Sequence, residues 1–195
     1  MATLTYDPAE TLRQARDRYF EANGFGGDGG YSKKWEIIKI GPLPIPIRNT
    51  AGRVAAIRFH DLHHVIGGFD TDLAGEGEIS AFELGGGCGS YTFAWGINFQ
   101  GMLFGLRWPG QLLRGWVRGR RGRTLYHSDW DEALLDRTVG EVRHEMGLDV
   151  APGPASVGER LSFGLTLLAS VVVHVALIGG FLAAVGWGLG RLFGG

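Results

Sequence analysis

A chain of 195 residues with 45% hydrophobic content has room for one ordinary domain and an appendage. Its 19 basic residues balance 20 acidic ones, so the composition carries neither the positive excess of a nucleic-acid binder nor an acidic disordered tail. The single cysteine, Cys88, excludes an intramolecular disulfide and a thiolate-rich zinc finger, fits a reducing compartment, and reads as a small buried apolar residue.

The opening stretch, MATLTYDPAETLRQARD, lacks the apolar core of a secretion signal and carries acids that a transit peptide avoids, which places the start of the chain in the cytoplasm. Asp7, Pro8 and Glu10 predict a helix start with Asp7 as cap, running to about Ala22 and stopping at Gly24. The glycine-rich run GFGGDGG at 24–30 has no lysine-serine or lysine-threonine ending and no preceding strand, so it reads as a flexible connector and not a phosphate cradle. The prolines of GPLPIP at 41–46 force an extended segment.

Thr50 then caps a helix carrying Val54, Ile57, His60 and His64 and ending at Gly67-Gly68; a second helix is predicted from Thr71 or Asp72 toward Leu84. Residues 91–106, YTFAWGINFQGMLFGL, are apolar nearly all round but too short and glycine-interrupted for a membrane span, which predicts a buried helix. Pro109 opens a short helix through Trp116, and Arg114, Arg118, Arg120, Arg121 and Arg123 follow as a basic cluster. Trp130, Leu134, Leu135, Val139, Val142 and Met146 recur at helical spacing, predicting one helix capped near Ser128-Asp129 and closed by Gly147.

Residues 151–161 read as a linker, leaving residues 1–150 as the helical domain. From Leu161 to Gly190 no residue is formally charged. About 20 helical residues cross the hydrocarbon core, so this run predicts a single transmembrane helix within residues 162–190. Gly186 and Gly190 are spaced for helix association, consistent with a homo-oligomer, and His174 lies within the run. The fold expectation is therefore all-α: a compact helical domain with a C-terminal transmembrane helix. The arginines before the span place that domain on the cytoplasmic side, the bacterial inner membrane being the expected location.

Half of the six histidines fall in HDLHHVIGGFDTDLAGE at 60–76. His60 and His64, four apart, stack on one helix face with the spacing two metal ligands need. Asp61 is placed to bind the same ion or to orient His64, and a bend at 67–70 folds the next helix back to bring in Glu76. His63 is a spare ligand or a surface residue. Histidines with carboxylates suit zinc first, then iron or manganese, and cysteine-free coordination leaves an open position for catalysis. HD-type phosphohydrolases share the His-Asp pair but need a histidine upstream, and none precedes His60.

The pattern His60-Asp61-x-x-His64-x11-Glu76 resembles the metal motif of the ubiquinone (coenzyme Q) biosynthesis protein 4 family. The run GRRGR at 119–123, Tyr126, Trp130 and VRHEMGL at 142–148 look like that family's closing segment. The resemblance implies His60, Asp61, His64 and Glu76 as metal ligands, with Phe82-Glu83 matching the aromatic-acid pair that follows. The spacing picks Glu76, whereas the family's Gly-Glu-Ile context picks Glu78. It further implies a membrane-associated protein of ubiquinone synthesis, working with other quinone-biosynthesis proteins and linked to decarboxylation, oxidative or not, of a polyprenylated hydroxybenzoate. The expected partners are that prenylated precursor and membrane lipid, with no nucleic acid. The alternative is a non-catalytic prenyl-lipid-binding scaffold whose ion fixes two helices.

Overall fold

The computed structural model describes residues 4–40 and 43–193, so Gly41-Pro42, the start of the expected extended segment, lies outside the described residues. Near the start, Glu10 accepts from the Asp7 amide at 2.9 Å as the capping pattern predicts, yet no helix begins there. Instead the Leu12 amide donates to the Arg137 carbonyl and the Val139 amide to the Glu10 carbonyl, both at 2.9 Å. That pairing holds the backbone extended through Thr11. Helix α1 (Leu12–Asn23) starts only after it, with a capping box between Thr11 and Gln14, and ends at left-handed Gly24.

Trp35–Ile40 (β1) and Leu43–Arg48 (β2) form an antiparallel hairpin in which Trp35 faces Arg48 and Ile37 faces Pro46. In a two-stranded ribbon every strand has a free edge, so Pro44 and Pro46 are tolerated. The hairpin is the one strand element among the described residues of an otherwise helical molecule.

Helix α2 (Ala51–Gly67) has the predicted bounds: the Thr50 hydroxyl accepts from the Arg53 amide and Gly68 closes the helix at φ 64°. Asp61 to Ile66 are all buried, so α2 runs through the middle of the domain. Its last carbonyls are held by two arginines from distant helices: Arg143 donates to Val65 and Ile66, and Arg118 to Gly67. These contacts satisfy acceptors that a helix end otherwise leaves open and place positive charge at its negative pole.

Helix α3 (Leu73–Gly86), capped by Asp72, packs closely on α5 (Pro109–Arg121). At Gly115 and Gly119 a Cβ would run into the carbonyl oxygens of Glu78 and Phe82, so this crossing needs glycine. Helix α5 continues five residues beyond the predicted end at Trp116. The expected single helix around 130–146 is two pieces: a 3-10 turn (Glu132–Asp136) and α6 (Val139–Glu145). Arg137 is drawn out of helix by its pairing with Leu12, and Thr138 restarts the chain with a capping box to Glu141.

Helix α4 (Thr92–Phe104) departs from its predicted all-round burial, since only Ala94, Asn98 and Met102 are buried, one stripe at four-residue spacing. Helix α7 (Val157–Phe193) starts inside the expected linker. Its first turns dock on the domain: Arg121 forks to Glu159 at 2.7 and 2.8 Å, Trp116 packs near Phe163, and the Ser170 hydroxyl meets Met102. The stretch Val157–Gly188 is long and apolar enough to cross a membrane, and only 6% of its most apolar window is buried, unlike a soluble core helix. The His174 Nδ1 is enclosed without a hydrogen-bond partner.

Candidate metal centre

Helix α2 carries His60 and His64 on one face, their rings 4.9 Å apart and nearly perpendicular. The left-handed Gly68 reverses the chain, and Asp72 launches α3 so that Glu76 falls in its first turn, facing the histidines. The His60 and His64 Nε2 atoms are 3.3 Å apart. Glu76 brings Oε2 within 3.6 Å of His60 Nε2 and Oε1 within 3.4 Å of His64 Nε2.

The partners on the far side of each ring set the tautomers. His64 Nδ1 donates to the Phe69 carbonyl at 3.0 Å, so the same turn that returns the chain also orients this ring. His60 Nδ1 donates to Glu83 Oε1 at 2.9 Å. Both Nε2 atoms therefore aim lone pairs at one point, joined there by a carboxylate, an arrangement that repels itself unless a cation or proton stands between them. For metal–ligand bonds of about 2.0–2.1 Å in a tetrahedron, donor atoms lie about 3.3–3.4 Å apart. The 3.3 Å between the two imidazole nitrogens matches one edge of such a tetrahedron, and Glu76 turns a different oxygen toward each of them. His64 is buried while the Glu76 side chain is 41% exposed, so the centre opens on the carboxylate side.

The electrostatics match a place made for positive charge. Burial works against a charged His60, but Glu83 and Glu76 outweigh it and raise its pKa well above the ordinary histidine range. Burial pushes Glu76 up, yet His64 and His60 prevail and hold its carboxyl far below the usual range. Glu83 behaves alike: burial opposes ionisation and His60 with His63 overcomes it.

His60, His64 and Glu76 are the residues the structure gathers among the described residues. Asp61 is not in that group: its carboxylate accepts from the Tyr31 hydroxyl at 2.5 Å. Burial, opposed by His60, pushes Asp61 up to about 6. Glu78 is engaged elsewhere, both its oxygens receiving Arg114 at 2.8 Å, because two positions along the helix turn it toward α5. His63 is neither a spare ligand nor a surface residue. It is fully buried, donating from Nδ1 to Glu83 at 2.7 Å and accepting the Leu125 amide on Nε2 at 2.8 Å. Burial lowers its pKa against the pull of Glu83, so it stays neutral.

Glu83 is the residue whose importance the sequence understated. One fully buried carboxylate receives His60, His63, Asn98 at 2.5 Å and Tyr126 at 3.0 Å, tying α2, α3, α4 and the 125–127 turn together. Its signal was an acid set in the apolar run ISAFELGG, where a charge needs partners. The tyrosine Tyr19 stacks on His64 with centroids 5.2 Å apart and restrains that ring further. Of the basic cluster, Arg114, Arg118 and Arg121 are committed to protein partners, while Arg120 and Arg123 lie exposed.

No family model matches the chain, and no curated protein or solved structure matches it.

Proposed function

We propose that this protein is a membrane-anchored, metal-dependent protein of ubiquinone synthesis acting in decarboxylation of a polyprenylated hydroxybenzoate. The observation that carries the reading is the convergence of His60 Nε2, His64 Nε2 and the Glu76 carboxylate, each imidazole fixed by a donor bond on its far nitrogen, on a domain joined to a long apolar helix. The family resemblance of residues 60–84 and 119–148 supplies the substrate class, and the apolar helix keeps the domain where a prenyl tail resides. Zinc suits two imidazoles and a carboxylate, and the same donor set suits iron(II) or manganese. When bound, the ion supplies a Lewis acid for carboxylate or phenolate oxygens.

The chain's own residues do the rest. Glu83 and the Phe69 carbonyl hold the imidazoles in the binding tautomer. Asp61, buried next to His60 and held by the Tyr31 hydroxyl, adds negative charge beside this centre. The exposed Arg120 and Arg123 suit anionic head groups, and a basic cluster before the span is what supports a cytoplasmic domain in this reading. A scaffold reading draws on Glu83, whose four donors come from three segments and join them to α3: an ion binding α2 to α3 beside it also stiffens the domain. The test is metal content of purified protein alongside quinone intermediates in cells carrying His64→Ala. The enzyme reading expects lost metal and an accumulated carboxylated precursor; unchanged metal and unchanged quinone would sink it. A scaffold expects lost complex assembly with no turnover by the purified protein.

A further inference from the structure

Helix α7 is longer than a bilayer needs, and the excess is the part packed on the domain. Val157–Gly188 has 32 residues. At about 1.5 Å per residue that is about 48 Å, against a hydrocarbon core of about 30 Å. Phe163 and Ser170, which meet Trp116 and Met102, fall in this docked portion. On its outward side Leu161 is 65% exposed, Leu165 69% and Leu168 59%, an unbroken stripe at helical spacing.

Helix α4 lies against the same stretch of α7 and shows the same character. Residues 91–106 hold no formal charge. Flanking the buried stripe, Ile97 and Phe104, seven residues apart and so on one side of the helix, are exposed, as is Leu106 just beyond. Arg107 and Trp108 follow immediately, residue types that settle at head-group level. Two adjacent helices thus present exposed apolar residues from charge-free stretches, one followed in sequence by Arg107 and the other preceded by Arg160.

We propose that the domain is seated in the bilayer and not merely tethered to it, with the Ile97–Phe104 face of α4 immersed among lipid acyl chains beside the first turns of α7. This rests on the reading that α7 spans the membrane. It accounts for the apolar face of α4 and for about half of the surplus length of α7, because sinking the domain by roughly the depth of an interfacial helix, about 5–10 Å, covers that much and tilt of the helix takes up the rest. It also brings the metal centre to the lipid boundary: Asn98, on the inner stripe of α4, donates to the carboxylate that holds His60. A substrate with a lipid tail then needs no extraction into water to reach the ion.

Single cysteines at Ile97, Phe104, Ile178 and Glu21 of the full chain carry nitroxide labels in phosphatidylcholine–phosphatidylglycerol vesicles. Cys88 stays unlabelled in the folded protein, being fully buried with its thiol pushed up to about 12 by that burial. Paramagnetic relaxation by oxygen, which concentrates in lipid, is compared with that by a water-soluble nickel chelate. The expected result is oxygen-dominated relaxation at Ile97→Cys and Phe104→Cys, as at Ile178→Cys in α7, with the nickel chelate dominating at Glu21→Cys. Nickel-dominated relaxation at both α4 positions while Ile178→Cys stays in lipid would overturn the seating and leave the anchor standing. Protection from both reagents at those positions overturns it too, showing α4 covered by protein. If Ile178→Cys is itself nickel-accessible, the anchor and the seating fall together.

Discussion

Replacing Glu83 by glutamine alters the centre without touching any atom that faces the ion. In the native protein Oε1 receives the Nδ1 protons of His60 and His63, and Oε2 receives Asn98 and Tyr126. Glutamine keeps the shape, its carbonyl can still serve the two histidines, and its amide finds an acceptor in Asn98 once that side-chain amide turns over, the Oδ1 being buried without a partner where it stands. What is lost is the negative charge that raises the pKa of His60 and strengthens it as a donor. Removing such an outer partner of a ligating histidine typically weakens metal binding 10–100-fold, or roughly 1.4–2.7 kcal/mol. Competition against a chromophoric chelator reads the affinity, and circular dichroism checks that the helices persist. Affinity within twofold of wild type in a folded Glu83→Gln protein would refute the idea that His60 is a ligand held through its far nitrogen.

Four further outcomes follow from the same geometry. Glu76→Gln should abolish stoichiometric metal binding, while Glu78→Gln, which weakens the pair between buried Glu78 and half-exposed Arg114, should leave it intact and cost about 1–3 kcal/mol in a thermal melt. Metal affinity should climb with pH through neutrality, because His60, with its pKa raised chiefly by Glu83 against burial, must shed a proton before binding; a pH-independent affinity would contradict that. In the metal-free protein the lowered carboxyls of Glu76 and Glu83 contribute stability that is complete above the ordinary carboxylate range, about 4.3, and lost as the medium is acidified toward their depressed values; an acid titration of the melting temperature checks the sign. Gly119→Val should lower stability by about 1–3 kcal/mol, since its side chain must displace the Phe82 carbonyl on α3.

The parts of the fold decided by neighbours in sequence were legible. Thr50 and Gly68 bound α2, Asp72 starts α3, and four-residue spacing stacks His60 on His64, all local rules. The turn between those helices was enough to bring Glu76 to the histidines. What the sequence hid was settled by distant segments. The 130–146 pattern looked like one helix, but pairing with residues 10–12 held Arg137 extended and let Thr138 cap a new one. The hairpin went unseen because prolines at 44 and 46 argue against a strand, and an isolated ribbon has edges that accept them. His63 resembled a surface residue in an exposed-looking histidine cluster; its burial depends on the Leu125 amide, 62 positions away. Arg118 and Arg143 read as charge and act as caps on the end of α2, which no spacing rule reveals.

The claim on which everything else depends is that His60, His64 and Glu76 share one cation. X-ray absorption at the zinc edge of protein loaded with one equivalent reads this directly. The geometry predicts two imidazole nitrogens at about 2.0–2.1 Å with oxygen completing the shell and no sulfur. One imidazole or none in the shell, or a spectrum unchanged in His60→Ala and His64→Ala, would contradict it.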